Sequence, residues 1–153
     1  MISTLILVQY LVFLNKTTSR MFLSGGYRGQ LKRFCDESKE HGIAVTLVVT
    51  KKGKDLGYGS NQNIPEITTE KYFEKKSLLL SSSNFFVFLP TQKLGLGLLS
   101  EIIDLLEYSL IYCNIVKLEP PKILFMGQPY ETTVGNILKQ TGNTSTPNIE
   151  YAN

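Results

Sequence analysis

The stretch Ser24-Gly25-Gly26-Tyr27-Arg28-Gly29 has the residue types and spacing of an anion site. It follows a short apolar run, Met21-Phe22-Leu23, and opens an amphipathic segment that ends at His41-Gly42. Glycine permits close backbone approaches and positive φ angles that a side chain forbids. The first amides of a helix have no internal partner and point at whatever precedes them. Strand, glycine turn and helix together therefore suit a phosphate, and they equally suit a tight strand-to-helix turn with no ligand. The two cysteines, Cys35 and Cys113, lie far apart without a CxxC spacing or a histidine companion. Neither a disulfide framework nor a metal site is indicated, and both read as small buried apolar groups. The single histidine, His41, stands at the expected end of a helix, where its usual role is to meet the last carbonyls. That placement argues against Ser-His-Asp and Cys-His mechanisms.

A core must position this turn. The chain has 153 residues, 42% hydrophobic and 19% charged, which is ample for one soluble domain over residues 1–141 with a polar tail over residues 142–153. A net charge of +3, with no Lys/Arg cluster interleaved with aromatics, gives no nucleic-acid footprint but agrees with a small anionic ligand. Residues 2–14 are apolar, yet too short for a bilayer span and without the flanks of a secretory signal, so no membrane partner and a cytoplasmic location are expected. They read as core, preferably one buried helix stopped at Asn15, otherwise a strand over residues 2–8 and barely a turn of helix.

Along the chain, residues 20–24 read as a short strand and residues 30–41 as a helix with Leu31, Phe34 and Cys35 on its buried stripe. Residues 43–50 (IAVTLVVT) are nearly continuously apolar, the mark of a parallel strand covered on both faces. Residues 51–65 form a polar stretch with three glycines, long enough to be a functional loop or to be mobile. Thr68 or Thr69 can cap a helix to about Leu80 whose apolar members are Tyr72, Phe73, Leu79 and Leu80. FFVFL over residues 85–89 reads as a buried strand running into Pro90 and a second glycine loop, Thr91 to Gly97. The longest helix follows, about residues 98–113, with Ile102, Ile103, Leu105, Leu106, Leu110 and Ile111 buried. KILFM (122–126) is a third buried strand, and a last helix covers about residues 131–141. Strand and helix alternate without hairpin dipeptides, which means an α/β fold: a parallel sheet with helices on both faces and ligands outside the carboxyl ends of the strands. Both glycine loops fall at such ends.

The two loops together resemble the Lonely Guy family, proteins often labelled "possible lysine decarboxylases" and similar to nucleoside 5'-monophosphate phosphoribohydrolases. The family's GGGxxGLM turn is matched by residues 24–31, with serine at the first glycine and glutamine after the last. Lys75-Lys76-Ser77-Leu78-Leu79 occupies the place of its RKxxM segment, and Pro90 through Glu101 that of PGGxGTxxE. There Thr91 and Gln92 replace the glycine pair, about three residues are inserted, and Gly97-Leu98-Leu99-Ser100-Glu101 restores the register. Residues 121–127 with Tyr130 also resemble the family's next strand and turn.

The resemblance implies a Rossmann-like sheet, a homodimer, no cofactor, and a nucleoside monophosphate or similar sugar phosphate as ligand. It places Glu101 as the carboxylate that assists water at the sugar and Lys75 as the cation on phosphate or ribose. Gly25, Gly26, Gly29, Thr91, Gly95 and Gly97 are then the phosphate-binding backbone. A carboxylate suits the ribosyl cation-like state of N-glycosidic cleavage, and amides with a cation suit the phosphate. The implied reaction releases a free base and ribose 5-phosphate from a cytokinin riboside monophosphate or AMP. Side chains at Thr91 and Gln92 favour the alternative of an inactive nucleotide-binding protein, with a structural remnant as a third possibility, and lysine in place of arginine at residue 75 is not conservative at a bidentate site. In the family the first strand is central and its crossover helix precedes the glycine turn. Here only residues 9–19 separate Val8 from Arg20, whereas a parallel crossover needs about a dozen or more residues. The central strand is therefore expected to be short or missing, in a divergent, N-terminally truncated member.

Overall fold

The computed structural model describes residues 21–60 and 63–152. They form an α/β chain with a Rossmann-like pattern: strands flanked by helices, every strand pairing parallel among the described residues. The chain divides into two compact units at Ser82 and Ser83. The readings of residues 2–14, including the short or missing central strand, lie outside the described residues.

The first unit runs β1 (Phe22–Ser24), α1 (Gly29–Glu40), β2 (Val45–Thr50), α2 (Lys51–Asp55), β3 (Glu66–Thr69) and α3 (Tyr72–Ser81), with strand order β1-β2-β3. Five successive β2 residues, Val45 to Val49, are buried. Successive side chains on a strand point to opposite faces, so both faces of β2 are covered, as its uninterrupted apolar run implies. Helix α1 buries Phe34, Cys35 and Ser38, and on its wet side Lys32–Asp36 and Arg33–Glu37 pair one turn apart at 2.8 Å. Gly42, at φ +73°, ends it, and His41 Nδ1 lies 2.8 Å from the Glu37 carbonyl, the role its position suggested.

Four expectations change here. Leu31, in the first turn of α1, is 38% exposed rather than part of the buried stripe. The polar stretch after residue 50 contains α2 and leads into β3, whose sequence, EITT, has no apolar alternation. A strand on the edge of its sheet, with Ile67 exposed, needs little apolar cover. Helix α3 starts at Tyr72 and is capped by Glu74, whose carboxylate accepts from the amides of Glu70 and Lys71 at 3.0 Å each, instead of by Thr68 or Thr69. Tyr72 and Phe73 are exposed, Phe73 to 75%, and pack edge to face on one another.

The second unit runs β4 (Phe85–Phe88), α4 (Leu96–Glu107), a π-helical turn (Tyr108–Tyr112), α5 (Cys113–Val116), β5 (Lys122–Met126), α6 (Gln128–Gln140) and β6 (Ile149–Ala152). The strand order is β4-β5-β6. Ile102, Leu105 and Leu106 of α4 are buried, together with Ile123, Phe125 and Met126 of β5 and Val134 of α6. Ile103 and Ile111, read as core, are exposed, and β4 is half-buried. Residues 149–152, expected as part of a polar tail, are the third strand, with Ile149 opposite Ile123 and the Gly127 amide donating to Ala152 at 2.7 Å. Around Phe125 stand Phe88, Tyr130 and Tyr151, with ring centroids 4.8, 5.4 and 5.8 Å away. The Tyr130 hydroxyl donates to the Leu89 carbonyl at 2.7 Å, tying the start of α6 to the end of β4. Its burial pushes the phenol pKa up to about 12. Among the described residues no helix is long and apolar enough to cross a membrane.

Because Tyr130 is buried and its hydroxyl satisfies a carbonyl, Tyr130→Phe keeps the ring packing and removes one hydrogen bond. Urea denaturation is expected to show a loss of about 1 kcal/mol without a change in the slope m.

Candidate functional site

The turn after β1 is closed by its own serine. The buried Ser24 hydroxyl donates to the Gly26 carbonyl at 2.7 Å and lies 3.4 Å from the Gly26 amide. Helix α3 then packs onto the exposed backbone of the turn. A Cβ on Gly25 would lie 2.9 Å from Leu79 Cδ1 and 3.8 Å from Lys75 Cε, and one on Gly26 would lie 3.1 Å from Leu31 Cδ1. Lys75 and Leu79 are one helical turn apart and so share a face. A side chain at Gly25 would force Leu79 Cδ1 to shift, and the same helix face places Lys75 beside the turn.

Tyr27 anchors the end of the turn. It is buried, and its hydroxyl hydrogen-bonds the Asp36 carboxylate while the Lys32 ammonium stands 5.3 Å from its ring centroid. Burial, then the bond to Asp36, pushes the Tyr27 phenol above its ordinary range. Burial works against ionisation of Asp36 too, but hydrogen bonds from Lys32 and Tyr27 outweigh it and hold the carboxyl below its usual range. Gly29, at φ +52°, turns the chain into α1.

On the other side, Thr50 ends β2 and caps α2, its hydroxyl accepting from the Gly53 amide at 3.0 Å. The Gly53 carbonyl accepts from the Tyr58 amide at 2.9 Å. Glu66 clasps this loop: Oε1 accepts from the Ser60 amide at 2.7 Å and Oε2 lies 2.9 Å from Lys54 Nζ. The Lys54 hydrogen bond, helped by the Ser60 amide against the cost of burial, holds the Glu66 carboxyl below its usual range.

Between the two sides, at the carboxyl ends of β1 and β2, is a cleft of about 270 Å³. Gly25, Gly26, Arg28, Thr50, Tyr58 and Lys75 line it, with apolar lining from Leu31, Leu47, Val48 and Val49. Among the described residues its charged lining is two cations, Arg28 and Lys75, with no carboxylate. The Arg28 guanidinium sits 3.9 Å over the Tyr58 ring centroid.

Of the residues expected from sequence, Gly25, Gly26 and Lys75 come together around this cleft, while Gly29 stands at the start of α1 outside its lining. Thr91, Gly95, Gly97 and Glu101 belong to the second unit. The Thr91 hydroxyl donates to the Lys93 carbonyl at 3.0 Å. Gly95 is the N-cap of α4, so Gly97 is helical rather than part of a loop, and a Cβ on either would meet nothing within 4 Å. The earlier start of α4 puts the half-buried Glu101 in its second turn instead of its first. Sequence reasoning missed Arg28, Thr50 and Tyr58 as lining residues. The available signal was one aromatic between two glycines, Gly57-Tyr58-Gly59, inside the stretch already marked as a functional loop.

No protein-family model matches this chain, and no curated protein matches it.

The close approach at Gly25 predicts that Gly25→Ala lowers stability by about 1 kcal/mol through overpacking, and that the cost shrinks in a Leu79→Ala background, measured as a double-mutant cycle in urea. The Glu66 clasp predicts a pH signature. A carboxyl held below its ordinary value of 4.5 contributes its full stabilisation above that pH and loses it as the pH falls through the lower folded value. Wild type should therefore exceed Glu66→Gln by about 1–2 kcal/mol at pH 6, and thermal melts should show that difference shrinking below about pH 4.5.

Proposed function

We propose that the first unit is a binding module for a small phosphate-bearing ligand, a nucleoside 5'-monophosphate or similar sugar phosphate. One observation carries this reading: the Gly25-Gly26 turn, Lys75 and Arg28 line one cleft at the carboxyl ends of parallel strands, and the charged groups among its described lining residues are cations. Backbone without side chains lets a phosphate approach closely, and two cations offset its charge. Apolar lining from Leu47, Val48 and Val49, with the Tyr58 ring, suits the less polar part of the same ligand. The resemblance of residues 24–31 to the Lonely Guy turn supports the choice of a nucleotide. A binding role is favoured over N-glycosidic hydrolysis because no carboxylate stands among the described residues that line the cleft. In the hydrolytic reading that task falls to Glu101.

Thermal shift and calorimetric titration with AMP and ribose 5-phosphate test the proposal. Both should stabilise the protein, by about 2.7 kcal/mol at a hundredfold excess over Kd, and Lys75→Gln should weaken both about tenfold. Chromatography of the AMP incubation should show no free base. Release of adenine that disappears in Glu101→Gln would establish turnover, and the absence of any response to either ligand would refute binding.

A further inference from the structure

We infer that Arg28, held against the ring of Tyr58, is the residue that grips the phosphate in this cleft and sets its orientation. The inference rests on the phosphate-binding reading above and adds which group performs the recognition.

Three other cations of the first unit have carboxylate partners. Lys32 and Arg33 are paired with Asp36 and Glu37 at 2.8 Å, and Lys54 with Glu66 at 2.9 Å. Among the described residues no carboxylate lies within ion-pair distance of Arg28. Its contact is instead the face of Tyr58, 3.9 Å from guanidinium carbon to ring centroid, well inside the range of a cation–π attraction. A salt bridge would occupy the N–H donors of a guanidinium. A ring face attracts the cation without consuming those donors, because they lie in the guanidinium plane. Arg28 is thus restrained yet keeps its donors for a ligand.

Both partners are fixed from beneath. Arg28 is an extended residue, φ −144° and ψ 151°, that follows the buried, Asp36-bonded Tyr27, and its carbonyl accepts from the Leu31 and Lys32 amides at 3.1 and 3.3 Å. Tyr58 is 41% exposed, but its amide is bonded to the Gly53 carbonyl, and a Cβ on Gly53 would come within 3.6 Å of its ring. The Glu66 clasp on Ser60 and Lys54 holds the loop on either side of it. A surface arginine ordinarily loses considerable side-chain entropy on binding, and pre-ordering on a fixed ring removes part of that cost. Lys75 contributes charge from α3 but is a compact point cation, whereas the guanidinium fork can take two phosphate oxygens at once. A phosphate held this way has a defined rotation, so the cleft discriminates by oxyanion geometry as well as by charge.

Calorimetric titration of wild type, Arg28→Lys, Tyr58→Phe and Tyr58→Leu with inorganic phosphate, AMP and adenosine tests this. Arg28→Lys keeps the charge and loses the fork; it should weaken phosphate and AMP about tenfold and leave adenosine unchanged. Tyr58→Phe keeps the ring and should stay within about twofold of wild type, while Tyr58→Leu should lose about three- to tenfold for phosphate and AMP. Retention of wild-type AMP affinity by Arg28→Lys, or equal losses in Tyr58→Phe and Tyr58→Leu, overturns the assignment while the binding reading stands. Failure of wild type to bind both phosphate and AMP overturns the two together. The side chain of Arg28 is exposed, so Arg28→Lys decides the matter even if a Tyr58 variant disturbs its loop.

Discussion

The first unit depends on how closely helix α3 can lie against bare backbone. At Gly25 the space for a Cβ is already occupied to within 2.9 Å by Leu79, and the same helix face delivers Lys75. Burial of an aliphatic side chain against a glycine turn is a non-directional gain, worth about 1.5–3 kcal/mol for a whole leucine, but here it sets a distance. A larger residue at position 25 would force Leu79 to shift on the helix face that also carries Lys75.

The opposite wall of the cleft is built by polar bonds. Thr50 caps α2, Gly53 receives the Tyr58 amide, and Glu66 clasps Ser60 and Lys54. Each bond is worth about 1 kcal/mol or a little more, and several of them fix a segment with almost no apolar content of its own. This division of labour explains why one wall could be anticipated and the other could not. Apolar packing leaves a pattern in the sequence, while a clasp between residues several positions apart in a polar loop leaves almost none.

The same contrast runs through the fold. The β2, β4 and β5 strands were legible because their residues form uninterrupted apolar runs, and α1, α4 and α6 because their buried residues recur with helical spacing. The strands β3 and β6, EITT and IEYA, are short and among the described residues pair on one side only, so no apolar run betrays them. Ile103, Ile111, Tyr72 and Phe73 were read as core from hydrophobicity, yet exposure of large apolar groups is common on folded chains and the pattern could not separate the two. At the site, the glycine turn was visible as local chemistry. Lys75 entered only through the family resemblance, and the Arg28–Tyr58 pair joins residues thirty positions apart that no local window contains.

Thr50 belongs to two elements at once, opposite Thr69 in the sheet and cap of the helix that starts at the next residue. With no connecting residue between strand and helix, an insertion or deletion there would detach the cap from Gly53 or slip the strand by one position, turning each of its side chains to the wrong face. As copies of this gene diverge, changes of length should be purged from residues 47–53 and tolerated farther along the loop. The segment is held to a fixed count of amino acids as strictly as to their kind.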